Sequence, residues 1–328
     1  MTQHEQAIHF KLSSEQRTEL NHKSNWLGAW SVFKSWALIF FAFGLSIVFP
    51  NPISYLITII LLAGAHVGLA ILMHDASHRA LFANPRVNDW VGEWLCAKPI
   101  FQSLEGYRSY HMAHHRLAGT LEDPDLVMTK NYPISRASFR RKILRDISGV
   151  SGIKTYVGLT LMHAEQLKYM LNGQVIANEN APHGFIAISK TLVRNLYAFV
   201  ITNIVIFAVL WALHAPWIYL LWITAQLFPF QVFLRVRQIA DHAVVPDSLS
   251  KNPLLHARST TAAWWEKLLF APHHEHYHLE HHLVPTAPSW NLPKLHNILV
   301  EANALPEGSQ SNGYAAVLRK AVLPKTSL

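Results

Sequence analysis

From Ser35 to Met73 the chain runs 39 residues without a lysine, arginine, aspartate or glutamate, and from Asn195 to Leu234 it runs 40. A helix needs about 20 apolar residues to cross a hydrocarbon core about 30 Å thick, so each run is long enough to cross twice. Pro50-Asn51-Pro52 interrupts the first run and His214-Ala215-Pro216 the second, where proline and small polar groups favour turns. The pattern predicts an all-α polytopic membrane protein with four transmembrane helices in two hairpins, at 35–73 and 195–234. Polar segments 1–34, 74–194 and 235–328 lie outside the bilayer as parts of one domain.

Charge orients this arrangement. All 28 lysines and arginines fall in the three polar segments and none at the hairpin tips, so the polar segments are expected on the cytoplasmic side of the inner membrane. A hydrophobic share of 51% against 15% charged residues agrees with a membrane class. A largely polar segment of 34 residues, including Glu5, Glu15 and Glu19, precedes the first apolar run, so the first span is expected to be retained rather than cleaved. The net charge of +8 is densest at Arg140, Arg141, Lys142 and Arg145, a cluster suited to anionic lipid headgroups or to an acidic carrier protein. No motif supports a nucleic-acid role. Asn88 to Leu95, with Trp90 and Trp94, and Ile153 to Leu171 have amphipathic character suited to the membrane surface or to packing.

Histidine supplies the candidate chemistry. His111-Met112-Ala113-His114-His115 and His278-Leu279-Glu280-His281-His282 share the spacing HxxHH, and His74-Asp75-Ala76-Ser77-His78 follows the first apolar run. With 21 histidines in 328 residues, HxxHH is expected by chance on the order of 0.1 times, yet it occurs twice. Residues three and four apart share one helix face, so each string can aim its imidazoles at one place. His242 follows the fourth span on the same side as His74 and His78, with Gln238 one turn before it. Nine candidates result: His74, His78, His111, His114, His115, His242, His278, His281 and His282. That is too many for one ion and enough for two, whereas a structural zinc site stops at four ligands.

Asp75, Asp241 and Glu280 stand beside these residues, where a carboxylate can accept the second ring N–H of a ligating histidine and fix its tautomer. Glu122, Asp123 and Asp125 read instead as helix-boundary or charge-pairing groups, because Pro124 breaks the local helix. His273, His274 and His276 read as supporting groups or spectators, and His66 and His214 as hydrogen-bonded packing residues. The single Cys96 excludes an internal disulfide and a cysteine-ligated iron–sulfur cluster, so any electrons come from outside the chain.

The three boxes, the four spans, the run HHxxxxxxxDPD from His114 to Asp125 and the stretch from His278 to Pro285 resemble the membrane-bound fatty acid desaturase superfamily over about residues 35 to 300. The resemblance implies two iron ions held by the nine histidines, with O2 as co-substrate and two external electrons used to abstract hydrogen from an unactivated C–H bond. Members carry an Asn-xxx-His pair near the end of the fourth span, and Gln238-xxx-His242 stands there in this chain. The first box is HxxxH rather than the HxxxxH of acyl-CoA Δ9 desaturases, and the third begins with His278 rather than the glutamine of front-end desaturases. The chain lacks a fused cytochrome b5 signature, which points to a separate donor such as ferredoxin or rubredoxin with its reductase.

The expected substrate is a long-chain fatty acid or acyl lipid, and the leading reaction is desaturation. The same boxes occur in carotenoid ketolases and hydroxylases and in enzymes that convert free fatty acids to terminal alkenes, so hydroxylation, ketolation and oxidative decarboxylation stay open. Two readings from other classes are a metal transporter or sensor, which would place ligands near the bilayer midplane, and a zinc-dependent hydrolase, which would need neither O2 nor electrons.

Overall fold

The two apolar runs form helical pairs that are longer than the runs themselves. A computed structural model of the protein describes residues 10–323. Its four candidate spans are Asn25–Val48, Pro52–Ser77, Phe185–Ala212 and Pro216–His242. The helices extend beyond the uncharged windows at their polar ends, carrying Lys34, Lys190, Arg194, Arg235 and Arg237. Hydrogen-bonded helix continues wherever cap or protein contacts can replace lipid, so the uncharged run marks the hydrocarbon and not the helix end. Fold class and hairpin pairing agree with the sequence pattern.

Local chemistry explains the hairpin tips. At the first, the Asn51 side chain accepts from the amides of Ile53 and Ser54 and Pro52 opens the second span, a strong helix start. At the second, His214 takes a left-handed backbone (φ 59°) before Pro216. His214 is solvent- or lipid-exposed there and not a packing residue, because a turn of this shape directs its ring away from the bundle. The fourth span is broken at Phe228-Pro229, where proline lacks the N–H that would continue the ladder.

The second span is the hub. Two-thirds of its apolar window is buried (67%), against 22% for the third span, so the third lies at the periphery facing lipid. Ser46 donates to Thr58, which donates to the Ala42 carbonyl (2.7 and 2.8 Å), tying spans one and two together inside the apolar layer. Tyr219 donates to Asn203 (2.9 Å) between spans four and three. Ile39, Phe43, Leu62, Leu69, Ile218 and Trp222 fill the space between spans one, two and four. His66 sits in that core fully buried, yet neither ring nitrogen has a hydrogen-bond partner among the described residues. Its ring meets Trp222 edge-on instead (centroids 4.2 Å apart), which replaces the expected hydrogen bonding with aromatic packing.

Above the spans lies a helical cap. The stretch around Trp90 forms the helix Pro85–Val91 and a π-helical turn Gly92–Ala97, with Trp90 exposed. The stretch expected to continue to Leu171 ends as a helix at His163, where Glu165 adopts a left-handed backbone. The segment Leu104–Leu117 carries the second histidine box and packs against the end of span two. Near the C-terminus, Ser259–Thr261 pairs in parallel with Gln310–Asn312, and Ile134–Ser135 with Val322–Leu323. These short pairs tie the cap's distant segments together. A second apolar cluster, with Leu20, Leu254, Leu279, Leu295 and Leu299, supports the short helix His278–Leu283 from behind.

Candidate metal centre

Each histidine string folds as the spacing requires. His74 occupies the last turn of span two and His78 caps it. His111, His114 and His115 lie along Leu104–Leu117, His242 ends the fourth span, and His278, His281 and His282 lie on one short helix. Leu104–Leu117 starts at Ser103, whose hydroxyl accepts from the amide of Gly106, and that fixes where the box begins.

The strings converge. Ligand atoms of His74, His78, His111, His115 and His281 lie within 4.8 Å of one another, as do those of His114, His242 and His282. His278 falls into a third such group with Asp241 and Glu275. Its Nδ1, however, is occupied by Glu275 (3.0 Å), while its Nε2 lies 2.9 Å from His242 Nε2 and 3.1 Å from His282 Nε2. His278 therefore completes a four-histidine group facing the five. The two groups adjoin, since the His115 and His282 rings stack with centroids 4.5 Å apart.

The donor set fits metal ions. His115 Nε2 lies 3.0 Å from both His111 Nε2 and His281 Nε2, and His114 Nε2 lies 3.3 Å from His282 Nε2. One proton cannot satisfy three converging nitrogens, whereas a cation at their centre satisfies all of them. The Nε2 atoms of His74 and His78 are buried without a partner, as ligand atoms aimed at an ion are. Burial pushes His78, His111, His115, His281 and His282 well below the ordinary imidazole value, which keeps their lone pairs free for a metal. At His114 burial acts in the same direction, but the Asp125 and Asp123 carboxylates prevail and raise it.

The outer nitrogens are held from behind. Asp123 lies 2.7 Å from His114 Nδ1 and Asp125 3.7 Å, while Tyr110 donates to Asp125. The charge-pairing role expected of Asp123 and Asp125 thus falls on a candidate ligand. His242 Nδ1 meets the carbonyl of His256 (3.1 Å), and His256 Nε2 lies 3.3 Å from His282 Nδ1. Asp75 Oδ1 is 3.3 Å from His74 Nδ1. Such partners fix tautomer and ring direction.

Three expected supporting groups are placed otherwise. Glu280 turns away from the histidine groups to Ser259 and to His296 (2.5 Å), because on its short helix it shares a face with neither His281 nor His282. Glu275 holds His278 in its stead and is gripped by Arg237, which also lies 3.4 Å from Asp241. Burial would raise the Glu275 carboxyl, but Arg237 beside it holds it well below the usual carboxylate range. Asp241 thus faces Arg237 and the His278 side of the centre. The Gln238 side chain makes no hydrogen bond among the described residues. His273 bonds Ser35 across to span one (2.8 Å), and His274 and His276 make no hydrogen bond to the two groups.

Sequence spacing missed Glu275 and His256. Glu275 stands three residues before His278, an i, i+3 relation that could have drawn attention to it. His256 belongs to no box, and only the fold brings it to His282.

Comparison with known proteins agrees with this geometry. The chain is 28% identical over 317 residues to the dihydrorhizobitoxine desaturase of Bradyrhizobium elkanii, covering 95% of this chain and 84% of that protein. It is 27% identical over 248 residues to a β-carotene ketolase of a Paracoccus species, covering 74% of this chain and 79% of the ketolase. A second Paracoccus β-carotene ketolase, from strain PC1, is 27% identical over 246 residues. The pattern of the fatty acid desaturase family matches residues 50–311 and so takes in all nine histidines, and the chain belongs to that family of membrane oxidoreductases.

Proposed function

We propose that the protein is an O2- and electron-dependent di-iron oxidase that desaturates a fatty acyl substrate. The observation that carries this reading is the convergence of nine imidazoles, seven buried and two (His115 and His242) half-buried, in groups of five and four at the polar ends of the spans. Imidazole suits iron, and two adjacent ions held there would, with O2, supply the oxidant needed for an unactivated C–H bond. The metal ligands proposed are His74, His78, His111, His115 and His281 for one ion and His114, His242, His278 and His282 for the other.

The chain's own residues do the rest. Asp75, Asp123, Glu275 and the His256 carbonyl orient ligand rings, and the apolar bundle beneath excludes water and takes up an alkyl chain. The lysine- and arginine-free hairpin tips support a cytoplasmic cap on the inner membrane. Arg140, Arg141, Lys142 and Arg145 lie on the helix Arg136–Ile147 and supply a headgroup-binding surface. Electrons come from a separate donor of the ferredoxin or rubredoxin kind.

The test is anaerobic loading of the purified protein with iron, followed by O2, a reducing system and C12 to C18 fatty acids, with products analysed by mass spectrometry. A product two mass units lighter is expected. A hydroxylated product or an alkene one carbon shorter would replace desaturation by another outcome. No O2-dependent product from protein holding tightly bound zinc would overturn the oxidase reading.

A further inference from the structure

A cleft of about 620 Å³ opens on the aqueous face of the cap, between the end of the second-box helix and the 251–256 segment. His115, His282 and His256 line it together with Arg116, Glu122 and Lys251. Its volume lies within the range of small-molecule sites. Two of the lining histidines come from the two different groups: His115 from the five and His282 from the four. A molecule in the cleft therefore touches one histidine of each group.

The walls are built for close approach. Gly119 has a left-handed backbone (φ 76°), and a Cβ there would stand 2.0 Å from the Ser250 carbonyl oxygen. Only glycine lets the two walls meet at this point. His256 is fixed from behind by its Nδ1 contact to the Ser250 carbonyl (2.8 Å), so floor and wall are coupled.

The charge at the rim selects a ligand. Arg116 and Lys251 are exposed, and neither forms an ion pair among the described residues. Glu122 is the single acidic residue lining the cleft, leaving the rim net positive. Arginine's planar fork suits a carboxylate, and lysine adds a point charge.

We propose that this cleft binds the carboxylate of the substrate, so that the substrate is presented as a free acid from the aqueous side rather than as an ester. This rests on the oxidase reading only for the consequence, since the binding itself requires neither iron nor O2.

The test uses the full chain in detergent with Thr120→Cys as reporter on the cleft wall, and Leu121→Cys as a second reporter should the first fail to fold. Cys96 is fully buried and stays silent toward a bulky maleimide. Octanoate is expected to slow labelling at least fivefold, methyl octanoate is not, and Arg116→Gln with Lys251→Gln is expected to remove the protection while histidine-bound metal content stays unchanged. Absent protection, equal protection by the methyl ester, or protection that survives the double substitution would each overturn the proposal. Protection in a chain that gives no O2-dependent product would sink the oxidase reading alone, and an active enzyme without protection would sink the cleft assignment alone.

Discussion

Glu275 Oε1 lies 3.0 Å from Nδ1 of His278, and the same carboxylate is gripped by Arg237 from the fourth span. One side chain thus orients a candidate ligand and neutralises a half-buried guanidinium. Glu275→Ala should lower metal affinity about 10- to 100-fold. It should also cost stability by leaving Arg237 with only its 3.4 Å contact to Asp241, and Glu275→Gln should recover part of the affinity. Metal titration beside thermal unfolding checks this; unchanged affinity in the alanine variant would remove Glu275 from the centre.

Asp123 makes the equivalent contact to His114 but pairs with no arginine or lysine among the described residues. Asp123→Ala is therefore expected to weaken metal binding by a similar factor with little change in melting temperature. The contrast with Glu275 is the informative part. Equal destabilisation by both substitutions would show that Asp123 holds the fold and not the ligand.

The division into five and four histidines makes a stoichiometric prediction. His281→Ala and His282→Ala neighbour each other on one helix but serve different groups. Each should reduce bound iron from two ions per chain toward one, with different spectroscopic signatures for the ion that remains. Loss of both ions in both variants would mean the groups act as one cooperative site.

Asp146 is fully buried and receives Arg235 (2.9 Å from its Nη2) and the Ser151 hydroxyl. Arg235 is half-buried, so losing its partner in Asp146→Ala should cost about 1–3 kcal/mol. The readout is a fall in the unfolding midpoint in detergent. A loss below about 1 kcal/mol would show that the pair contributes no more than a surface ion pair does.

Gly152 faces the Leu227 carbonyl, and a Cβ there would stand 2.3 Å from that oxygen. Because the obstacle is backbone, Gly152→Ala should destabilise by about 1–3 kcal/mol and prise the Val150–His163 helix from the fourth span. A melting temperature equal to wild type would refute the contact.

The sequence displayed its spans and its ligands because both follow from local period. Uncharged length marks a crossing, and HxxHH marks a helix face whatever the rest of the chain does. Asp123, nine residues beyond His114, and Glu275, three before His278, are near their histidines in sequence but stand outside any box, and only the fold turns them onto a ring nitrogen. His256 obeys no local rule at all, since it reaches His282 across 26 positions. Glu280 illustrates the converse: it lies inside a box, yet the turn of its helix delivers it to His296. His66 was legible as a packing residue but not as one lacking hydrogen bonds, since no local pattern announces that Trp222 will cover its ring.

Span two runs unbroken from Pro52 to Ser77 and carries His74, whereas the span that carries His242 is jointed at Phe228-Pro229. The two histidine groups are therefore mounted on supports of unequal stiffness. A bilayer thicker or thinner than the helices prefer changes their tilt. The rigid support passes that tilt to His74 as a whole-body movement, while the jointed one bends and lets His242 shift against its neighbours. A change in lipid thickness is therefore expected to alter the spacing between the two groups, which would make the membrane a mechanical input to the chemistry it surrounds.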